Sequence, residues 1–315
     1  GLSARPFPPL RTPNLRQTNL TKQPDPFFGR SDALQRLSDA FNAGERLLTL
    51  TGSAGTGKTR LSRHFGATQL AYFPGGVWLV DLSEARTVSA IVAATAAALD
   101  VPLTQDDAET QLSDAVLGRG RALYLLDNFE QVVDAAQETV IRWLHHAPGA
   151  TFIVTSRSPL RVAEERVYPL DPLPTADAMA LFYDRGERAL RGFSRTAENV
   201  GLVREIVERL DRLALAIELA AARVRMLPPA RLLPRLVDAR FQLLSTTRRD
   251  ATARQATLRG ALDWSWALLS PPEQSALAQL SVFHGGCSLE SVEGVVDLPD
   301  PPGAPWSMDI IEALV

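Results

Sequence analysis

LLTLTGSAGTGKTRL, residues 47–61, decides the fold. An apolar run leads into a glycine-rich turn, and GSAGTGKT at residues 52–59 fulfils GxxxxGK[ST] at Gly52, Gly57, Lys58 and Thr59. An amphipathic segment then resumes through Leu61 and Phe65. Strand, loop and helix in that order build a phosphate-binding loop. The glycines let backbone N–H groups wrap toward phosphate oxygens, and the helix N-terminus adds its partial positive charge. Lys58 is expected to reach the β and γ phosphates and Thr59 to offer its hydroxyl to Mg²⁺. Ser53, Ala54, Gly55 and Thr56, with Arg60 just beyond, complete the expected contacts to ATP or ADP. Of 33 basic residues only Lys22 and Lys58 are lysine, so the compact ammonium is kept where a phosphate loop requires it.

Outward from the loop, short apolar runs alternate with helix-length amphipathic stretches. Strands are predicted at 47–51, 77–82, 122–126, 151–155 and 167–170, with helices between the first four, for example at 88–99 and 132–145. That rhythm predicts an α/β fold, a parallel sheet buried on both faces by helices. Ser31 can cap a helix carrying Ala33, Leu34, Leu37, Ala40 and Phe41 on one face. After Pro174 the strands stop, and helices are predicted at 176–189, 197–210, 213–224 and 229–236, a small helical domain. A polar stretch from Ser245 precedes a third region, in which Ser270-Pro-Pro-Glu273 reads as a helix start with a capping box.

The chain has 315 residues, 45% hydrophobic and 22% charged, enough for two or three domains. A net charge of −3 without blocks of one sign advertises neither a nucleic-acid stripe nor an acidic tail. The single cysteine, Cys287, rules out an internal disulfide and fits a reducing, cytoplasmic setting. No run approaches the roughly 20 apolar residues of a membrane span. Residues 1–26 carry six prolines and read as a linker from an upstream domain, and the missing initiator methionine suggests a fragment of a longer protein.

Asp127 closes the apolar strand LYLL, where a carboxylate can face the loop and anchor Mg²⁺ or, alternatively, cap the next helix. Asn128 follows, and an amide cannot take a proton from water, so fast hydrolysis is not expected. It can position water or cap a helix. Arg157, after Thr155 and Ser156, can sense a γ-phosphate or form a surface ion pair. Trp264 and Trp266 read as core, and His145 with His146 as a favourable contact at a helix end.

In order, these motifs resemble the STAND class of signal-transduction ATPases, specifically the NB-ARC (AP-ATPase) architecture of bacterial multidomain regulators. FFGR at residues 27–30 looks like the opening motif of that class, which implies that Phe28, Gly29 and Arg30 touch adenine. LTLTGSAGTGKTRL (48–61) looks like its P-loop, LYLLDNFEQV (123–132) its Walker B motif and FIVTSRSPL (152–160) its sensor, with Arg157 in place. RLALAIELAAARV (212–224) resembles its GLPLA motif, while QATLRGALDWSWALLSPPEQ (255–274) and LSVFHGG (280–286) resemble the opening of a winged helix. Arg212 and Ala214 depart from the usual glycine and proline, which puts adenine affinity in doubt. FPPLRT (7–12) looks like the junction that often follows a nucleotide cyclase domain in such proteins.

The resemblance implies a nucleotide-binding domain at 27–172, a helical domain at 173–240 and a truncated winged helix at 241–315. It implies a slow ATPase that works as a switch, self-association in the ATP state, an upstream effector domain of cyclase or transcription-factor type, and downstream helical repeats. Two rivals are an AAA+-like ATPase acting on DNA through the winged helix and a P-loop small-molecule kinase. Among lysines and arginines, residues 255–315 hold only Arg259, so direct nucleic-acid binding by this fragment is not expected.

Overall fold

The computed structural model describes residues 18–22, 25–104, 107–238, 266, 269–283 and 288–298. They gather into two compact units. One holds Leu34–Leu50 and Thr59–Tyr168 with the described residues before Phe27; the other holds Phe27–Ala33, Thr51–Lys58 and the described residues from Pro169 on.

Five strands form the sheet: β1 (Leu47–Thr51), β2 (Val77–Asp81), β3 (Ala122–Asp127), β4 (Ala150–Thr155) and β5 (Arg166–Pro169). Their order is β2-β3-β4-β1-β5, and β2·β3, β3·β4 and β4·β1 all pair in parallel. β1, β3 and β4 are buried at every position, which is why they read as unbroken apolar runs rather than alternating ones. β2 and β5 expose residues and sit at the edges. The connecting helices are α1 (Ser31–Asn42), α2 (Lys58–Thr68), α3 (Val88–Leu99), α4 (Ala108–Gly118) and α5 (Arg142–His146). The core of this unit joins Val80, Tyr124, Leu126, Phe129, Trp143, Phe152 and Val154, with the Tyr124 and Phe152 rings stacked at 5.2 Å. Parallel strands leave their carboxyl ends on one edge, where a ligand crevice forms as chain connections diverge. β1, β2, β3 and β4 end there at Thr51, Asp81, Asp127 and Thr155.

Three local features differ from the sequence reading. The helix expected at 132–145 is broken: Val132 leaves helical geometry at φ −135°, short 3-10 turns flank it, and a π-turn at Gln137–Ile141 precedes α5. α4 is an additional helix whose buried stripe is only Leu112, Ser113 and Val116. Thr18 bridges to Val77, and the Asn19 side chain accepts from the Leu79 N–H at 2.7 Å and donates to the Leu79 carbonyl at 2.8 Å. The end of the expected linker therefore covers the free edge of β2, as exposed edges require.

The second unit is helical: α6 (Thr175–Ala189), α7 (Val200–Arg209), α8 (Ala214–Ala221) and α9 (Pro229–Asp238). Phe182, Val203, Ile206, Val207, Ile217, Ala220 and Leu232 close its core, and Phe28 packs against it. α8 is nearly all alanine and leucine, which lets neighbouring helices approach closely. Beyond α9, the helix Pro271–Leu280 starts as expected, the Glu273 carboxylate accepting the Ser270 N–H at 2.6 Å. Trp266 is 43% exposed, not core, while Trp264, Cys287, most of 1–26 and most of the expected winged helix lie outside the described residues. No helix among the described residues is long and apolar enough to cross a membrane.

Candidate nucleotide site

The phosphate loop, Thr51–Lys58, lies in the helical unit and is held from several sides. Gly52 has φ 143°, and a Cβ there would come within 2.8 Å of the Leu170 carbonyl oxygen, so only glycine fits. Within the loop the Thr56 hydroxyl donates to the Ser53 carbonyl at 2.9 Å. Lys58 folds its ammonium onto the Gly52 and Ser53 carbonyls at 2.7 and 3.1 Å. The Leu215 N–H, in the first turn of α8, donates to the Gly55 carbonyl at 3.1 Å. Arg30 donates to the Thr56 carbonyl at 2.9 Å and to the Asp171 carbonyl. Burial lowers the Arg30 pKa, while the Asp171 and Asp177 charges oppose that shift. Gly29 beside it has φ 63°, and a Cβ there would meet Asp177 Oδ2 at 2.7 Å. Thus Phe28, Gly29, Arg30, Gly52, Ser53, Gly55, Thr56 and Lys58 fall in one unit, with Ala54 and Gly57 on the same loop.

The RLALA departure has a visible backbone consequence. Asp211 and Arg212 both adopt left-handed geometry, at φ 52° and 54°. Arg212 therefore occupies a conformation suited to glycine, the residue that the resembled motif carries there. The turn still delivers α8 to the loop through Leu215.

The residues expected to hold Mg²⁺, Thr59 and Asp127, both belong to the sheet unit. Asp127, 6% exposed, accepts from the Thr59 hydroxyl at 2.7 Å and the Thr155 hydroxyl at 2.5 Å. The Asn128 backbone N–H donates to the Thr155 hydroxyl at 3.1 Å, so β3, β4 and the first turn of α2 converge on one carboxylate. Asn128 sits at φ 63° before a 3-10 turn and makes no side-chain cap; its amide donates to Asp81 Oδ1 at 3.0 Å and Asp127 Oδ2 at 3.2 Å. Arg157 lies 4.0 Å from Glu130, both side chains largely buried, so this is no surface ion pair. Arg60 ties α2 to the preceding segment through the Pro26 carbonyl at 2.6 Å. His145 and His146 contact Glu164 and Asp114.

These residues fit Mg²⁺ with a nucleotide. A hydroxyl and a carboxylate already share a hydrogen bond, and hard oxygen donors suit that ion. Among the described residues no group of three or more His, Cys, Asp or Glu could hold a metal, so phosphate and water oxygens would complete its shell. Asp81 and Glu130 escaped the sequence reading. Asp81 closes the strand VWLVD as Asp127 closes ALYLLD, which is the one local signal that could have found it.

Residues 42–161 match the AAA domain family. Rv0890c of Mycobacterium tuberculosis (strain ATCC 25618 / H37Rv), provisionally named an HTH-type transcriptional regulator, is 39% identical over 258 residues, covering 81% of this chain and 29% of that protein. Rv0894 of the same strain, named an uncharacterized protein, is 35% identical over 274 residues, covering 85% of this chain and 68% of that one. The chain thus spans well under half the length of the first of these relatives. A solved structure of a STAND protein with a tetratricopeptide repeat sensor, PH0952 from Pyrococcus horikoshii, gives a TM-score of 0.43 at 15% identity, covering 87% of this chain and 37% of that one. The name of Rv0890c does not fit the expectation, drawn from the scarcity of basic residues in 255–315, that this fragment stays off nucleic acid.

Proposed function

The chain belongs to the same family as Rv0894 and carries an AAA-type domain at residues 42–161, and from that premise we propose that it is a nucleotide-operated switch within a longer regulator. ADP with Mg²⁺ holds one arrangement; exchange for ATP favours an opened one that self-associates, and slow hydrolysis resets it. Lys58 and the loop N–H groups hold the phosphates, Thr59 and Asp127 hold Mg²⁺, and Phe28, Gly29 and Arg30 lie toward the base. The observation that carries the reading is the Leu215 N–H on the Gly55 carbonyl: α8 is bonded directly to the phosphate loop within their common unit. A change in loop geometry on phosphate binding therefore has a route to α8. To invert a 1:99 balance the two nucleotides must differ by about 10⁴-fold in preference for one state. Arg157, held against Glu130, is the cation we assign to sensing the γ-phosphate.

Slow turnover follows from Asn128, whose amide accepts a hydrogen bond from water without taking its proton. The relative named as a transcriptional regulator supports transcription control as the output. Titration with Mg-ADP tests the assignment: Lys58→Ala and Asp127→Ala should each weaken binding tenfold or more, about 1.4 kcal/mol. Unchanged affinity in both variants refutes it.

A further inference from the structure

Asp81 belongs to no motif discussed above, yet it stands directly opposite Asp127 in the β2·β3 register, so two neighbouring strands end on carboxylates. Between them lies the Asn128 amide, 3.0 Å from Asp81 Oδ1 and 3.2 Å from Asp127 Oδ2. Ionised carboxylate oxygens only accept, so the atom facing both must be the NH₂ group, and the amide orientation is fixed. Asp81 is itself held: the Ser83 N–H donates to the same Oδ1 at 2.9 Å. Both Asn128 amide hydrogens are thereby used, and its Oδ1 has no hydrogen-bond partner among the described residues.

We infer that Asp81 is a positioning residue for hydrolysis at this site: with Asp127 it clamps the Asn128 amide so that its carbonyl oxygen faces outward as the acceptor that orients the attacking water. This rests on the proposed ATPase switch. Without Asp81 the amide keeps one carboxylate partner and is free to turn its donor side toward the water, which misorients it. In hydrolysis the water oxygen bonds to the γ-phosphorus as the bond to the β–γ bridging oxygen breaks. The water proton passes to phosphate or solvent, because the amide cannot hold it. The clamp thus orders the water, while the amide's inability to take its proton keeps turnover slow.

The pair also defines a swap. Asn128→Asp alone places a third carboxylate against Asp81 and Asp127, which repel it. Adding Asp81→Asn turns one of these two repulsions into an amide–carboxylate contact across the strands, while position 128 still faces Asp127. In nucleotide-free protein with chelator, Asn128→Asp should lower Tm by roughly 2–4 °C, and the double variant should regain part of that loss. Asp81→Ala should lower kcat about tenfold or more while Mg-ADP affinity stays within about threefold, since the residue orients water and does not hold nucleotide. The double variant should exceed the wild type in kcat, because a carboxylate now occupies position 128. Failure of wild-type protein to bind Mg-nucleotide overturns the proposed switch itself. Wild-type binding with additive Tm effects of the two substitutions, or with undiminished kcat in Asp81→Ala, overturns the clamp alone.

Discussion

Thr155 carries the centre of the metal side, and replacing it with valine isolates one atom. The hydroxyl donates to Asp127 at 2.5 Å and accepts the Asn128 N–H at 3.1 Å, and the residue is 2% exposed. A hydrogen bond to a charged group contributes about 1.5–3 kcal/mol, and leaving a buried N–H without its acceptor costs about 1–3 kcal/mol. The added methyl returns about 0.8 kcal/mol by burial. Thr155→Val should therefore destabilise by about 2–4 kcal/mol, with a fall in Tm of about 5–15 °C. Thr155→Ser is the control: it keeps the hydroxyl and loses a methyl, a cost of about 1 kcal/mol. Urea unfolding of the two variants beside the wild type, with m-values checked for constancy, gives the ranking. A valine variant as stable as wild type, or more stable than the serine variant, would refute the assignment of that hydroxyl.

Other outcomes follow from single positions. Gly52→Ala drives a Cβ to 2.8 Å from the Leu170 carbonyl at a φ of 143°, so it should cost about 1–3 kcal/mol and impair nucleotide binding in the same titration. Arg212→Gly should stabilise by about 0.5–1 kcal/mol through relief of left-handed backbone strain, since the contact that it gives up, Glu208 at 3.8 Å, is half exposed. Measurable destabilisation in urea would contradict this. Burial, then the Arg60 charge, lowers the His64 pKa below 6.5. The unfolded chain therefore binds that proton more readily, and stability present above pH ~6.5 is lost as the pH falls through the folded value. Unfolding at pH 7.5 and pH 5.5 should show a smaller loss in His64→Gln than in the wild type; equal losses would exclude His64 as a contributor.

The central strands were legible because burial on both faces writes them as continuous apolar runs, and Leu47–Thr51 appears at its expected bounds. The phosphate loop was legible because its residue types are dictated locally: Gly52 has no room for a Cβ, and Thr59 opens the helix toward Asp127. What stayed hidden depends on register between distant segments. Nothing near Asp81 announces that Asn128, forty-seven positions away, will take its carboxylate. The same holds for Asn19, whose side chain imitates a strand residue against Leu79. Arg157 had two open readings, and only the fold supplies Glu130 as its buried neighbour. The helix over 132–145 was misread because its apolar spacing suits a regular helix, whereas Ile141 N–H bonds back to the Ala136 carbonyl, five residues earlier.

The central claim, a nucleotide held by the loop at residues 52–59, is tested most directly by denaturing the purified native protein and chromatographing what it releases. About one equivalent of ADP is expected, diminished in Lys58→Ala. Protein that releases no nucleotide and also binds neither Mg-ADP nor Mg-ATP on titration would contradict it.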